Sequence, residues 1–280
     1  MVQDESSRRG AARRVRSAEG LPGRRTRARP GACLALSAAL TLSALGAPDA
    51  AAVGPVAGAG TALVHEFEFA RLVHASAAPG DWPRWQADWP EAEAHFTEGL
   101  GRLTSIDVGG EGVLVSASDD ALFDHPWLYA VEVGALALSA LEAERLREYL
   151  LRGGFLMIDD FHGRAEWAGF ARALERVFPD RPVVELADST ETFHVPYELG
   201  EREQIPGIRA LMSGRTWEKG GRHPAWRGIL DEAGRVMVAI NFNQDIGDAW
   251  EHADDARYPA PLTAQAYRLG INYVVYAMTH

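Results

Sequence analysis

Phe155-Leu156-Met157-Ile158 constrains this chain more than any other stretch. Four consecutive apolar residues set directly between two helical patterns describe a strand covered on both faces, as in the middle of a parallel sheet. The punctuation on either side supports that reading. Ser139 and Glu142 have the spacing of a capping box and Gly153-Gly154 supplies a left-handed stop, so a helix is predicted over 139–152, immediately before the strand. Asp159-Asp160 leads out of the strand toward a second helix, predicted over 165–178 and ended by Pro179.

The rest of the chain repeats the alternation. Apolar and polar residues partly alternate over 62–74, as in a strand with one buried face, and Ala92, Phe96, Leu100 and Leu103 carry the spacing of an amphipathic helix over 91–103. Further strands are predicted at 113–116, 127–134, 183–186 and 235–243, with a closing helix over 262–278. Strands alternating with helices imply an α/β fold, a three-layer arrangement around an open and mostly parallel sheet. One domain is expected over 62–280, with 187–234, which fits the pattern least, as an irregular insertion near the functional edge.

Ahead of this domain the charge changes sign. Residues 1–30 hold nine arginines against Asp4, Glu5 and Glu19, a local charge of +6 in a chain of −11, so the remainder carries −17. An acidic body of that size repels phosphate backbones and argues against nucleic acid as a partner. The basic start is followed by the apolar run 32–47 and by small residues at Ala50 and Ala52, the layout of a secretory signal over 1–52 cleaved after Ala52. A flexible leader over 53–61 would follow, and the protein would be periplasmic or extracellular. Retention of the uncleaved signal is the one expected route to membrane attachment. Cys33, the single cysteine, lies inside the signal, so the mature chain would have no disulfide, no thiolate metal ligand and no thiol nucleophile.

In open α/β sheets ligands bind beyond the carboxyl ends of the strands. Asp159 and Asp160 stand there after Ile158, and either they cap the next helix and meet solvent or they serve a ligand or a metal. A second polar loop, NFNQDIGDAWE (241–251), offers Asn241, Asn243, Asp245, Asp248 and Glu251 as oxygen ligands or as turn caps. It is not an EF-hand, because Ile246 and His252 occupy the positions of the required Gly and Glu. His194, after a strand, is the leading candidate for a general base or a ligand, followed by His162; His125, His223 and His252 are expected on solvated turns. Trp82, Trp85 and Trp89 in a turn-rich loop either stack on a sugar or an apolar partner or pin that loop over the sheet edge. No P-loop, no G-x-S-x-G and no zinc-type histidine pair is present, and Lys219 is the sole lysine.

Four separated motifs in order, RGGFLMIDDFHG, HVPY (194–197), NFNQDIGDAWE and YRLGINYVVYAM (267–278), resemble the domain-of-unknown-function family 4159 over about residues 66–278. The sequence of helix, Gly-Gly, apolar strand and polar exit is also similar to the nucleophile region of class I glutamine-amidotransferase-like domains. The resemblance implies a flavodoxin-like, amidotransferase-type fold and places the 241–251 loop beside the DDFHG turn. It does not carry glutaminase chemistry, because Asp159-Asp160 stands where a low-pKa cysteine would be required.

Two functional readings follow. In the first, an exported module without a nucleophile binds a small ligand, a glycan or an envelope protein in its strand-end cleft, through Asp160, His162, His194, Asn243, Asp245, Asp248, Trp82 and Trp85. In the second, Asp159, Asp160, Asp245 and Asp248 hold a divalent cation for hydrolysis with His194 as base, and no other cofactor is expected. Convergence of the two carboxylate loops to within about 5 Å separates them, since the ligands of one cation must surround it.

Overall fold

The computed structural model describes residues 65–78, 80 and 82–280; the expected signal (1–52) and leader (53–61) lie outside the described residues. In chain order the strands are β1 (Ala70–Val73), β2 (Ala75–Ser76), β3 (Val113–Ser116), β4 (Trp127–Ala130), β5 (Leu136–Ala137), β6 (Phe155–Ile158), β7 (Val184–Glu185), β8 (Ala225–Leu230) and β9 (Val236–Phe242). The helices are α1 (Glu91–Leu103), α2 (Ala140–Leu151), α3 (Gly163–Val177), α4 (Ile208–Met212), α5 (Ile246–Glu251) and α6 (Ala260–Thr279).

Seven strands form one sheet in the order β3-β1-β4-β6-β9-β8-β7. The first five run parallel, and β8 and β7 each pair antiparallel with their neighbour. Numbered by their own order in the chain, the parallel strands therefore lie second, first, third, fourth, fifth. The switch in direction falls at β1, with Asp88, Glu132, Asp160 and Asp245 on the loops that follow β1, β4, β6 and β9.

Strand periodicity sends alternate side chains to two cores. From β4 and β6, Trp127, Tyr129, Phe155 and Met157 join Phe96, Trp250 and Tyr273 of α1, α5 and α6 on one face. Leu128, Ala130, Leu156 and Ile158 meet Leu146, Phe170 and Leu174 of α2 and α3 on the other. The Phe155–Ile158 strand is buried throughout, as its composition requires. Helix α2 begins at Ser139, whose hydroxyl accepts from the Glu142 N–H while the Glu142 carboxylate accepts from the Ser139 N–H.

Three expectations need correction. The strand expected over 127–134 stops at Ala130, because Glu132 turns left-handed (φ 49°) into a 3₁₀ turn over Val133–Ala135. The supposed irregular insertion contains a sheet strand, β8, alongside the short helix α4. Neither Asp159 nor Asp160 caps α3: its first N–H groups, from His162 and Gly163, are held by the Glu166 carboxylate and by the Asn243 side-chain oxygen.

Candidate functional site

Asp159 and Asp160 are neighbours with different work. Asp159 is fully buried, and its Oδ2 accepts from the Tyr129 hydroxyl (2.9 Å) and from the N–H groups of Ile246 (2.7 Å) and Gly247 (3.0 Å). It clamps the start of α5 to the sheet, and its Oδ1 is buried without a partner. Burial, reinforced by the charge of Asp160, pushes its carboxyl up to about 7 despite those hydrogen bonds.

Asp160 then adopts the left-handed conformation (φ 46°), which turns the chain sharply at the strand exit. That turn brings it to Asp245, the N-cap of α5, and to Asp88, which follows the turn Arg84–Gln86; carboxylate oxygens of the three lie within 4.8 Å of one another. Asp160 and Asp245 are only 8% and 5% exposed, yet both line the same cavity of about 570 Å³. Asp160 Oδ1 meets His162 Nε2 at 3.2 Å and Asp245 Oδ1 accepts from the Asp248 N–H at 3.1 Å, while the second oxygen of each has no partner among the described residues. Asp88 Oδ2 is buried and unpartnered. Burial and mutual repulsion push Asp88 and Asp245 well above the ordinary carboxylate range.

The surroundings are built to tolerate this crowding. A Cβ at Gly247 would overlap Asp88 Oδ2, so only glycine admits the close approach of that carboxylate. Arg71, buried in β1, pairs with Glu93 and donates to the carbonyls of Trp85 (2.9 Å) and Ala87 (2.8 Å), which fixes the loop that ends in Asp88. At the exit of β4, Glu132 is held by Arg84 (2.9 Å) and by Lys219 (3.5 Å). The five described non-glycine residues with left-handed backbone, Asp88, Glu132, Asp160, Lys219 and Asn243, all sit at this edge, where local strain is concentrated.

A second group, Asp248, Glu251 and His252, places its donor atoms within 4.8 Å of one another along the same cavity. Asp248 Oδ2 also accepts from the Ile208 N–H (2.7 Å), and His252 Nε2 stands 3.4 Å from Asp248 Oδ1. His252 is thus a cavity residue rather than part of a solvated turn. Trp82, 52% exposed, reaches the cavity mouth with Met212 and Arg209.

Other candidates do not come together here. His194 is not in the cavity wall; its Nδ1 meets Glu198 (2.5 Å) and its Nε2 the Asp188 carbonyl (2.6 Å). Asn243 ties the Gly163 N–H to the His223 carbonyl, and Asn241 bridges the Ile158 carbonyl and the Tyr273 hydroxyl inside the core. Trp85 packs edge-on to Trp89 at 6.1 Å. His162 is buried behind Asp160, with Nδ1 unpartnered; burial pulls its pKa down, but the Asp160 hydrogen bond and charge outweigh it and the net shift is upward. Sequence reasoning missed Asp88, Glu132 and Arg71, each of which matters through a loop closure that no local spacing records.

The sequence profile described as domain of unknown function (DUF4159) matches residues 68–278, which include every residue of this site. The chain belongs to this family. No curated protein is significantly similar to the DUF4159 chain. The site's chemistry therefore has to be read from its donor atoms. Three carboxylates with unpartnered oxygens and no thiolate among them form a set suited to a hard divalent cation such as Mg²⁺, Ca²⁺ or Mn²⁺. Such an ion would offset the repulsion that raises Asp88 and Asp245.

Proposed function

We propose that this DUF4159 domain holds a divalent cation between Asp88, Asp160 and Asp245, and that the cation anchors a small ligand in the cavity above it. The single observation that carries the reading is the convergence, within 4.8 Å, of three largely buried carboxylates from three separate loops. The scaffold is flavodoxin-like and amidotransferase-like, a reading supported by the second-first-third-fourth-fifth order of its parallel strands and by the left-handed Asp160 at the sharp strand-to-helix turn. No cysteine follows Cys33, so glutamine hydrolysis by a thiolate is not part of the proposal. The basic start and the apolar run 32–47 support an exported protein acting in the cell envelope.

Hydrolysis is the second reading, favoured by one observation: His252 lies on the cavity wall beside Asp248 and Glu251. In that case His252, rather than His194, would take the proton from a water held at the cation. Calorimetric titration of the full chain with Mg²⁺, Ca²⁺, Mn²⁺ and Zn²⁺ tests the main proposal. Saturable binding that Asp160→Asn abolishes supports it; the same heat from wild type and variant for every ion contradicts it. Cation-dependent cleavage of chromogenic esters or phosphodiesters, abolished by His252→Gln, would move the conclusion to the second reading.

A further inference from the structure

Granted the cation site just proposed, we infer that its ligand is a polyhydroxylated molecule without negative charge, a neutral or amino sugar, held by the cation and by stacking on Trp82. The cavity wall sets the first constraint. Seven of its side chains are carboxylates, among them Glu132, Glu218, Asp248 and Glu251 in addition to the three proposed ligands. Of the two arginines there, Arg257 is committed to Asp255 through Nε (3.0 Å) and Nη2 (2.5 Å), which leaves Arg209 as the one lining arginine without a carboxylate partner among the described residues. One divalent ion removes two charges from such a wall and Arg84 and Lys219 offset Glu132, which still leaves the carboxylates in excess. A phosphate or carboxylate ligand would still meet like charge at short range.

Ionised carboxylates only accept hydrogen bonds, so a complementary ligand must be rich in donors. Hydroxyl groups meet both demands, because they donate to carboxylates through hydrogen and coordinate a hard cation through oxygen. Amino groups add favourable charge. The mouth is different in kind: Trp82 is 52% exposed and Met212 65% exposed, an apolar edge on an otherwise acidic pit. A sugar ring joins these two chemistries in one molecule, with hydroxyls around its rim and an apolar C–H face for the indole. The cavity of about 570 Å³ is of the size that encloses a small ligand.

The test uses the full chain loaded with Ca²⁺ or Mn²⁺ and three probes: glucose, glucosamine and glucose 6-phosphate. Saturation-transfer NMR and calorimetry should report binding of glucose or glucosamine that disappears on chelation of the cation, with glucose 6-phosphate the weakest of the three. Trp82→Ala should weaken sugar binding about tenfold, equivalent to about 1.4 kcal/mol, while cation affinity stays unchanged and Trp82→Tyr retains sugar binding. Tighter binding of glucose 6-phosphate, no binding of any probe by the loaded protein, or sugar binding unaffected by Trp82→Ala would overturn the inference. Failure to bind any cation is a separate result, and it would refute the underlying site rather than the ligand class alone.

Discussion

Asp88→Asn is the sharpest perturbation of the acidic cluster, because it changes charge and almost nothing else. Asp88 has φ 62°, a conformation that asparagine accepts as readily as aspartate. Its backbone carbonyl, which accepts from the Ala92 N–H, is untouched, and its buried Oδ2 has no hydrogen bond to lose. Two full charges within 4.8 Å of one another repel by at least about 3.5 kcal/mol at an effective dielectric of 20. Proton uptake relieves part of this, because burial and the neighbouring Asp160 and Asp248 raise the Asp88 pKa. The expected gain for the cation-free variant is therefore about 1–3 kcal/mol at pH 8. For a domain of this size, that is a rise in Tm of roughly 2–4 °C per kcal/mol.

The variant's advantage is offset by cation and fades with acid. A folded-state pKa above the unfolded value means that the folded protein holds the proton more tightly, so the repulsion is absent well below that range and grows as pH rises through it. Wild type and variant should converge near pH 4. At pH 8, cation at a hundred times its Kd should stabilise wild type by about 2.7 kcal/mol and the variant by little. Differential scanning fluorimetry at both pH values, with and without millimolar cation, reads all four conditions. A variant that melts below wild type in chelator at pH 8, with an undiminished cation response, would refute the reasoning.

Three further outcomes follow from the same geometry. Asp159, raised from 3.8 to about 7, should make wild type lose stability as pH rises between these values, and Asp159→Asn should flatten that part of the profile in chemical denaturation. Arg71→Ala leaves Glu93 buried without its partner and frees the carbonyls of Trp85 and Ala87, so denaturant titration should show a loss of about 3–5 kcal/mol, with weakened cation binding in whatever folds. Gly169→Ala would drive its Cβ into the Gly134 carbonyl, where α3 meets the turn over Val133–Ala135; a loss of about 1–3 kcal/mol is expected, with cation affinity nearly intact.

The fold was legible where local signals agree with burial. Phe155–Ile158 reads as a central strand because both of its faces are covered, and α2 reads correctly because Ser139, Glu142 and Gly153 act within a few residues of one another. Strand β8 was not legible: Trp226, Arg227 and Gly228 do not form a strand pattern, and the Gly228 position, with Leu186 and the Val238 carbonyl against it, makes sense only once β7 and β9 flank it. Within the site, Asp160 and Asp245 could be chosen because each follows an apolar strand. Their roles could not be separated from that of Asp159, since a single left-handed residue decides which carboxylate enters the cavity and which clamps α5. Asp88 lies in a turn conspicuous for its tryptophans, and only Arg71 holding that turn down reveals its place. His194, suggestive in the sequence, lies outside this cavity wall, and its ring nitrogens are occupied by Glu198 and the Asp188 carbonyl.

The most direct test of the central claim is anomalous diffraction from crystals of the protein soaked in Mn²⁺ at pH 8. The expected result is a peak bounded by carboxylate oxygens of Asp88, Asp160 and Asp245 at about 2.0–2.6 Å, absent from crystals of Asp160→Asn treated in the same way. No peak at that position, or one confined to other residues and unchanged in the variant, would contradict it.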